Sequence, residues 1–128
     1  MKKKIIALIP ARYESKSVKR KNFKKLNGKP LIEYTISKAL KSTLIDKVII
    51  STDNYNYLKI LKRNKNKKLI LHNRSKVISG DNTKMISVIN DVLKKLGKLK
   101  YNFDYLVLLQ PTSPFKRSQD IEKSIKKI

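Results

Sequence analysis

Four short apolar runs separated by segments of helical periodicity restrict the folds open to this chain more than any other feature. Lys4 to Ile9 reads as a buried strand that stops where Pro10 removes a backbone donor. Val48-Ile49-Ile50 gives a second strand, closed by Ser51-Thr52-Asp53, Leu69-Ile70-Leu71 a third, and Tyr105 to Leu109 a fourth. Between them, Ile32, Ile36, Ala39 and Leu40 fall at helical spacing behind Gly28-Lys29-Pro30, with Pro30 suited to a first helical turn. Asp53 is placed to cap a helix that turns Tyr57, Leu58 and Leu61 to one side. A polar loop from His72 to Asn82 leads to a helix marked by Ile86, Ile89, Leu93 and Leu96 and stopped near Gly97. Strands alternating with helices imply right-handed βαβ crossovers, hence an α/β fold with a mostly parallel sheet and helices on both faces. No internal repeat or linker interrupts the chain, so residues 1–128 are expected to form one domain. A helical stripe through Ile121, Ile125 and Ile128 begins and then ends, which reads as an incomplete doubly wound domain.

The bulk properties exclude several classes. No run of eighteen apolar residues occurs, and Ile5 to Ile9 behind three lysines lacks the length and cleavage site of a signal peptide, so a cytoplasmic protein without a membrane span is expected. With no cysteine there are no disulfides or thiolate metal sites, and the single His72 cannot build a histidine-rich one. A net charge of +23 invites a nucleic-acid reading. That reading needs a basic face, whereas here lysines appear in almost every segment and only five of the 32 basic residues are arginine. The charge is better read as a solvated surface with the residue usage of an AT-rich genome.

Ligands of open parallel sheets bind outside the carboxyl ends of the strands. The polar clusters at Arg12 to Asn22, Ser51 to Asp53 and Gln110 to Ser113 each follow a strand and are expected to converge on one rim. In the first cluster Arg12, Lys16 and Lys21 would surround the charge of a triphosphate while Ser15 and backbone N–H groups donate to its oxygens. Neither GxxxxGK[ST] nor GxGxxG is present, which argues against P-loop NTPases and dinucleotide-binding dehydrogenases.

Taken in order, these segments resemble the acylneuraminate cytidylyltransferases, or CMP-sialic acid synthetases. Ile9-Pro10-Ala11-Arg12, Ser15-Lys16 and Lys21-Asn22 match the family's opening motif, and Gly28-Lys29-Pro30-Leu31 and Val48 to Asp53 match the next two segments. Arg74 with Ser79-Gly80-Asp81-Asn82-Thr83 resembles its third signature, and Leu108 to Phe115 its Leu-Leu-Gln-Pro-Thr-Ser-Pro segment. Glu14 and Ser17 depart from the pattern, standing where members often carry glycine. The resemblance implies a Rossmann-like nucleotidyltransferase fold of the nucleotide-diphospho-sugar transferase type. It makes Arg12, Ser15, Lys16 and Lys21 triphosphate contacts, with Arg12 and Lys21 also catalytic. Asn22 would hold the ribose, Arg74 would lie beside the cytosine, and Gln110 would hydrogen-bond the sugar acid.

The implied reaction joins CTP to a sialic-acid-like nine-carbon sugar acid, giving CMP-sugar and pyrophosphate with Mg²⁺ as cofactor, as in sugar activation for cell-surface polysaccharides. The family's Asp-x-Asp metal pair has no equivalent here, nor do its later sugar-binding residues or the segment through which it forms homodimers. A fragment of weak or absent activity is therefore expected. Kept open beside this reading are a non-catalytic nucleotide-binding remnant and a cytidylyltransferase for legionaminic, pseudaminic or Kdo acid, the last disfavoured by Gln110 to Pro114. A basic nucleic-acid binder is a further alternative.

Overall fold

The computed structural model describes residues 3–12, 23–74 and 84–110. Its centre is β1 (Ile5–Ala11), a strand whose seven residues are all buried because the sheet continues on both sides and helices cover both faces. The other main strands are β4 (Lys47–Thr52), β5 (Leu69–Asn73) and β6 (Tyr105–Leu108). They form a four-stranded sheet in the order β5-β4-β1-β6, and every pair is parallel. The chain thus steps outward from β1 to β4 to β5 and then crosses back to the far side of β1. The strand order reverses between β1 and β6, the position at which such sheets open a crevice.

Right-handed crossovers in opposite directions place their helices on opposite faces. α1 (Leu31–Lys41) and α2 (Tyr55–Leu61) lie on one face, where Ile32, Ile36, Ala39, Tyr57 and Leu61 pack on Ile5, Ala7, Ile9, Val48 and Ile50. α3 (Met85–Lys98) lies on the other, where Val92 and Leu96 pack on Ile6, Leu8 and Ile49. Alternation along β1 divides its residues between the two cores.

Several boundaries differ from the sequence reading, each for a local reason. β1 runs through Pro10 to Ala11, because the proline interrupts only one of two ladders. Lys4 and Leu8 turn their carbonyls to the β6 side, accepting from Asp104 and Leu109, whereas Ile5 accepts from Asp46 on the β4 side. Pro10 has the parity of Lys4 and Leu8, so its missing donor falls where pairing with β6 ends, and the β4 ladder continues to Ala11↔Thr52. Lys25–Leu26 (β2) and Lys29–Pro30 (β3) form a small hairpin around Asn27 and Gly28, with φ of 52° and 84°. Asn-Gly is the preferred pair for such a turn, a signal present in the sequence. Pro30 is consequently the N-cap of α1 and not its first turn.

α2 is capped by Asn54, whose side chain accepts from the Tyr57 N–H, and not by Asp53. α3 buries Val88, Val92 and Leu96, leaving Ile86 57% and Leu93 39% exposed, so the buried stripe is rotated from the one expected. Gly97 stands inside α3. The helix runs on to Lys98, is capped by Leu99 and is closed by Lys100, with φ of 54°, where Lys100 N–H donates to Gly97 and Tyr101 N–H to Leu96. His72 and Asn73 belong to β5 and not to a loop.

Candidate functional site

Because the four strands are parallel, Arg12, Asp53, Arg74 and Gln110 all leave the sheet at one edge, as the sequence reading required of its three polar clusters. They also continue one parity. Ile6 and Leu8 lead to Arg12, Ile49 and Ser51 to Asp53, Ile70 and His72 to Arg74, and Leu106 to Gln110, the series whose apolar members pack under α3. The carboxyl edge on the α3 side therefore gathers the polar residues.

Arg74 is 4% exposed, and its N–H extends the β4–β5 ladder by donating to Thr52 at 2.8 Å. Arg74 is therefore a buried cation at the end of the ladder. Burial lowers the pKa of its guanidinium, Asp53 opposes that shift, and Arg12 adds to it. Among the described residues, Arg12, Asp53 and Arg74 thus share one electrostatic neighbourhood of two cations and one carboxylate. An excess positive charge held in low dielectric favours an anionic ligand. Arg12 is half-buried, while Gln110 is exposed, one residue beyond the buried Leu109 on the other side of the crevice. Ser15, Lys16, Lys21 and Asn22 lie outside the described residues, as do Glu14, Ser17, Ser79 to Thr83 and Pro111 to Phe115.

Directly below this edge lies a polar chain that the sequence reading missed. Ser51 Oγ is 2.8 Å from His72 Nδ1, and His72 Nε2 is 2.6 Å from Asp91 Oδ2. A carboxylate only accepts, so Nε2 carries the proton and donates to Asp91, and the Ser51 hydroxyl donates to Nδ1. Burial lowers the His72 pKa, a shift that Asp91 opposes and that Lys95 and Arg74 reinforce. The residue types are those of a nucleophilic triad, but Ser51 is 0% exposed and out of reach of any substrate. The alternation Ile70, His72 was the available sign that His72 lies on the sheet face beneath α3.

Among the described residues no group of three or more His, Cys, Asp or Glu is placed to hold a metal ion. Asp46 and Asp104 are spent at the opposite edge, accepting from the Ile5 and Lys4 N–H groups at 2.8 and 2.7 Å. No helix of the described residues is long and apolar enough to cross a membrane. A cavity of about 640 Å³ runs along the outside of α1 and α2 between Lys29, Glu33, Lys41, Tyr57 and Asn64, away from the polar edge.

A mostly parallel sheet of this order, flanked by helices on both faces, is the nucleotidyltransferase-type α/β fold. Solved structures sharing it include CMP:2-keto-3-deoxy-manno-octonic acid synthetase complexed with CTP, with a TM-score of 0.69 and 23% identity over 97% of this chain and 46% of that one. A 4-diphosphocytidyl-2C-methyl-D-erythritol synthase shares it with a TM-score of 0.72 and 17% identity over 98% and 54%. The family model for Cytidylyltransferase matches residues 6–128, and the chain belongs to that family. It is 35% identical over 122 residues to the CMP-N,N'-diacetyllegionaminic acid synthase of Legionella pneumophila, covering 95% of this chain and 52% of that protein. It is 36% identical over 126 residues to the N-acylneuraminate cytidylyltransferase of Escherichia coli O18:K1:H7, covering 98% and 28%. With the pseudaminic acid cytidylyltransferase of Campylobacter jejuni it shares 29% identity over 97% and 53%. The chain thus spans about half the length of two of these relatives and less of the third.

Proposed function

We propose that this chain forms the nucleotide-binding part of a cytidylyltransferase that activates a sialic-acid-like nine-carbon sugar acid with CTP. The observation that carries the reading is the buried Arg74 at the carboxyl edge, within electrostatic reach of Asp53 and Arg12, with Arg12 at the end of β1 beside the reversal of strand order. Membership of the cytidylyltransferase family supports the choice of nucleotide. Relatives named for legionaminic, N-acylneuraminic and pseudaminic acids support the class of acceptor.

In this reaction the anomeric hydroxyl of the sugar acid attacks the α-phosphorus of CTP. A new O–P bond forms, the bond from the α-phosphorus to the bridging oxygen breaks, and pyrophosphate leaves with that electron pair while the hydroxyl proton passes to solvent. Arg12 and Lys21 stabilise the charge that moves onto the leaving pyrophosphate, and Ser15 and Lys16 hold the triphosphate. Asn22 holds the ribose, Arg74 stands beside the base, and Gln110 reaches the sugar acid from across the crevice. Bound Mg²⁺ would supply further charge neutralisation at the triphosphate, and the described residues offer no cluster of carboxylates placed to hold it. A cytoplasmic site of action fits the use of CTP, and the family resemblance suggests a homodimer, although the segment through which the family dimerises has no equivalent in residues 1–128.

Calorimetric titration of this chain with CTP and UTP tests the nucleotide assignment, and pyrophosphate release by the whole protein tests the reaction. The expected outcome is preferential CTP binding that weakens about tenfold in Lys21→Ala, a charge-assisted contact, with turnover falling in parallel. CTP binding without turnover by the whole protein would leave only the non-catalytic alternative. Absence of CTP binding would overturn the proposal.

A further inference from the structure

Ser51 on β4 and His72 on β5 are directly opposed in the strand register, and the next pair is Thr52↔Asn73. One further step sets Asp53 opposite Arg74, where the Arg74 N–H still bonds to Thr52. The lower rung, Ser51 and His72, meets α3 through Asp91, and by the alternation of the strands Asp53 and Arg74 follow on the same side about 7 Å further along. The lower rung is buried and hydrogen-bonded on both sides of the ring. Both ring nitrogens of His72 are engaged, the ring is 4% exposed, and Asp91 ties it to α3 from the side.

We propose that His72 is a positioning residue of the nucleotide edge: the chain Ser51–His72–Asp91 holds α3 against β5 and fixes where the Arg74 guanidinium stands. This inference rests on the proposed nucleotide site and adds to it a residue that touches neither nucleotide nor sugar. The ring works in its neutral form, with its Nε2–H committed to Asp91 and its Nδ1 accepting from Ser51. Its charged surroundings are Asp91 and Lys95 on α3 and Arg74 beyond β5, while β4 offers the neutral Ser51. Lys94 and Lys98 line the same cavity of about 370 Å³ beside the ring. A proton on Nδ1 would displace the Ser51 donor and add a third cation below Arg12 and Arg74.

His72 is the only histidine of the chain, so its imidazole resonances identify themselves. In tag-free protein, nitrogen NMR is expected to show the Nε2–H form, with a pKa that rises in Arg74→Ala as a neighbouring positive charge is lost. An unchanged pKa in Arg74→Ala overturns the inference whatever CTP does. The second arm is a double-mutant cycle on CTP affinity. His72→Leu is expected to weaken CTP about tenfold in the wild-type background and less than about twofold in Arg74→Ala, because a residue that acts through another loses its effect when that other is removed. His72→Gln, which keeps a neutral donor toward Asp91, is expected to recover most of the loss. Equal losses in both backgrounds would show that His72 serves stability alone and would overturn the assignment. Should His72→Leu not fold, Asp91→Asn replaces it, with a smaller loss in the same direction that also vanishes in Arg74→Ala. Wild-type protein that fails to bind CTP would remove the nucleotide reading, and the NMR arm would still decide whether His72 senses Arg74.

Discussion

The two faces of the sheet are built from the same strands yet serve different ends. On the α1–α2 face the apolar core reaches the carboxyl edge, with Ala11 and Leu109 buried at its end. On the α3 face it stops lower, at Leu8 and Ile49, and the rungs above carry Ser51 with His72 and then Asp53 with Arg74. Burial against water holds the first face together. The second gives up that apolar area at its top for hydrogen-bonded and charged groups, each of which needs a partner to offset desolvation. Stability and ligand chemistry are thus separated across a single layer of strands.

The largest expected effect breaks the apolar face. Ile50→Ala removes a fully buried side chain and is expected to cost about 2–5 kcal/mol in denaturant unfolding. If that separation is real, Arg74→Ala reverses the pattern: CTP affinity falls about tenfold or more, as for loss of a charged contact, while the fold persists. A variant that instead unfolds with Arg74 removed would place the residue with the core. Tyr57→Phe is a smaller change in the opposite direction. Its hydroxyl is buried without a hydrogen-bond partner among the described residues, and burial, reinforced by Glu33, raises its pKa, so the phenolate is disfavoured. Removing the hydroxyl leaves the edge-on packing against Phe23 and is expected to stabilise by about 1 kcal/mol without altering CTP binding.

The smallest expected effect is a pH slope confined to the α3 face. His72 has a lowered pKa in the folded protein, so the unfolded chain takes up its proton first as pH falls. The stability tied to the neutral ring is present above the ordinary histidine value of about 6.5 and is lost as pH falls from there through the folded value. Denaturant unfolding between pH 7.5 and 5.5 checks this, and the component should disappear in His72→Gln.

The sequence made the α/β class and the convergence of Arg12, Asp53 and Gln110 on one edge legible, because parallel strands read as apolar runs and the polar clusters followed them directly. It was less informative where two patterns competed. Ile86, Ile89 and Leu93 offer an apolar stripe as regular as Val88, Val92 and Leu96, and only packing on Ile6 and Leu8 selects the second. Pro10 looked like a strand end because the two ladders of a central strand are not separately visible in sequence. Asp53 and Asn54 are both good caps, and the choice of Asn54 leaves Asp53 at the edge facing Arg74. The Ser51–His72–Asp91 chain joins residues 21 and 19 positions apart, beyond any local pattern.

The central claim is that the nucleotide lies on the α3 side of the carboxyl edge and not in the larger cavity outside α1 and α2. Amide hydrogen exchange with and without CTP tests this most directly. The account predicts added protection at residues 11–12, 52–54, 73–74 and 109–110, with Glu33, Ser37 and Lys41 unchanged. Protection centred on Glu33, Ser37 and Lys41, with the strand ends unaffected, would contradict it.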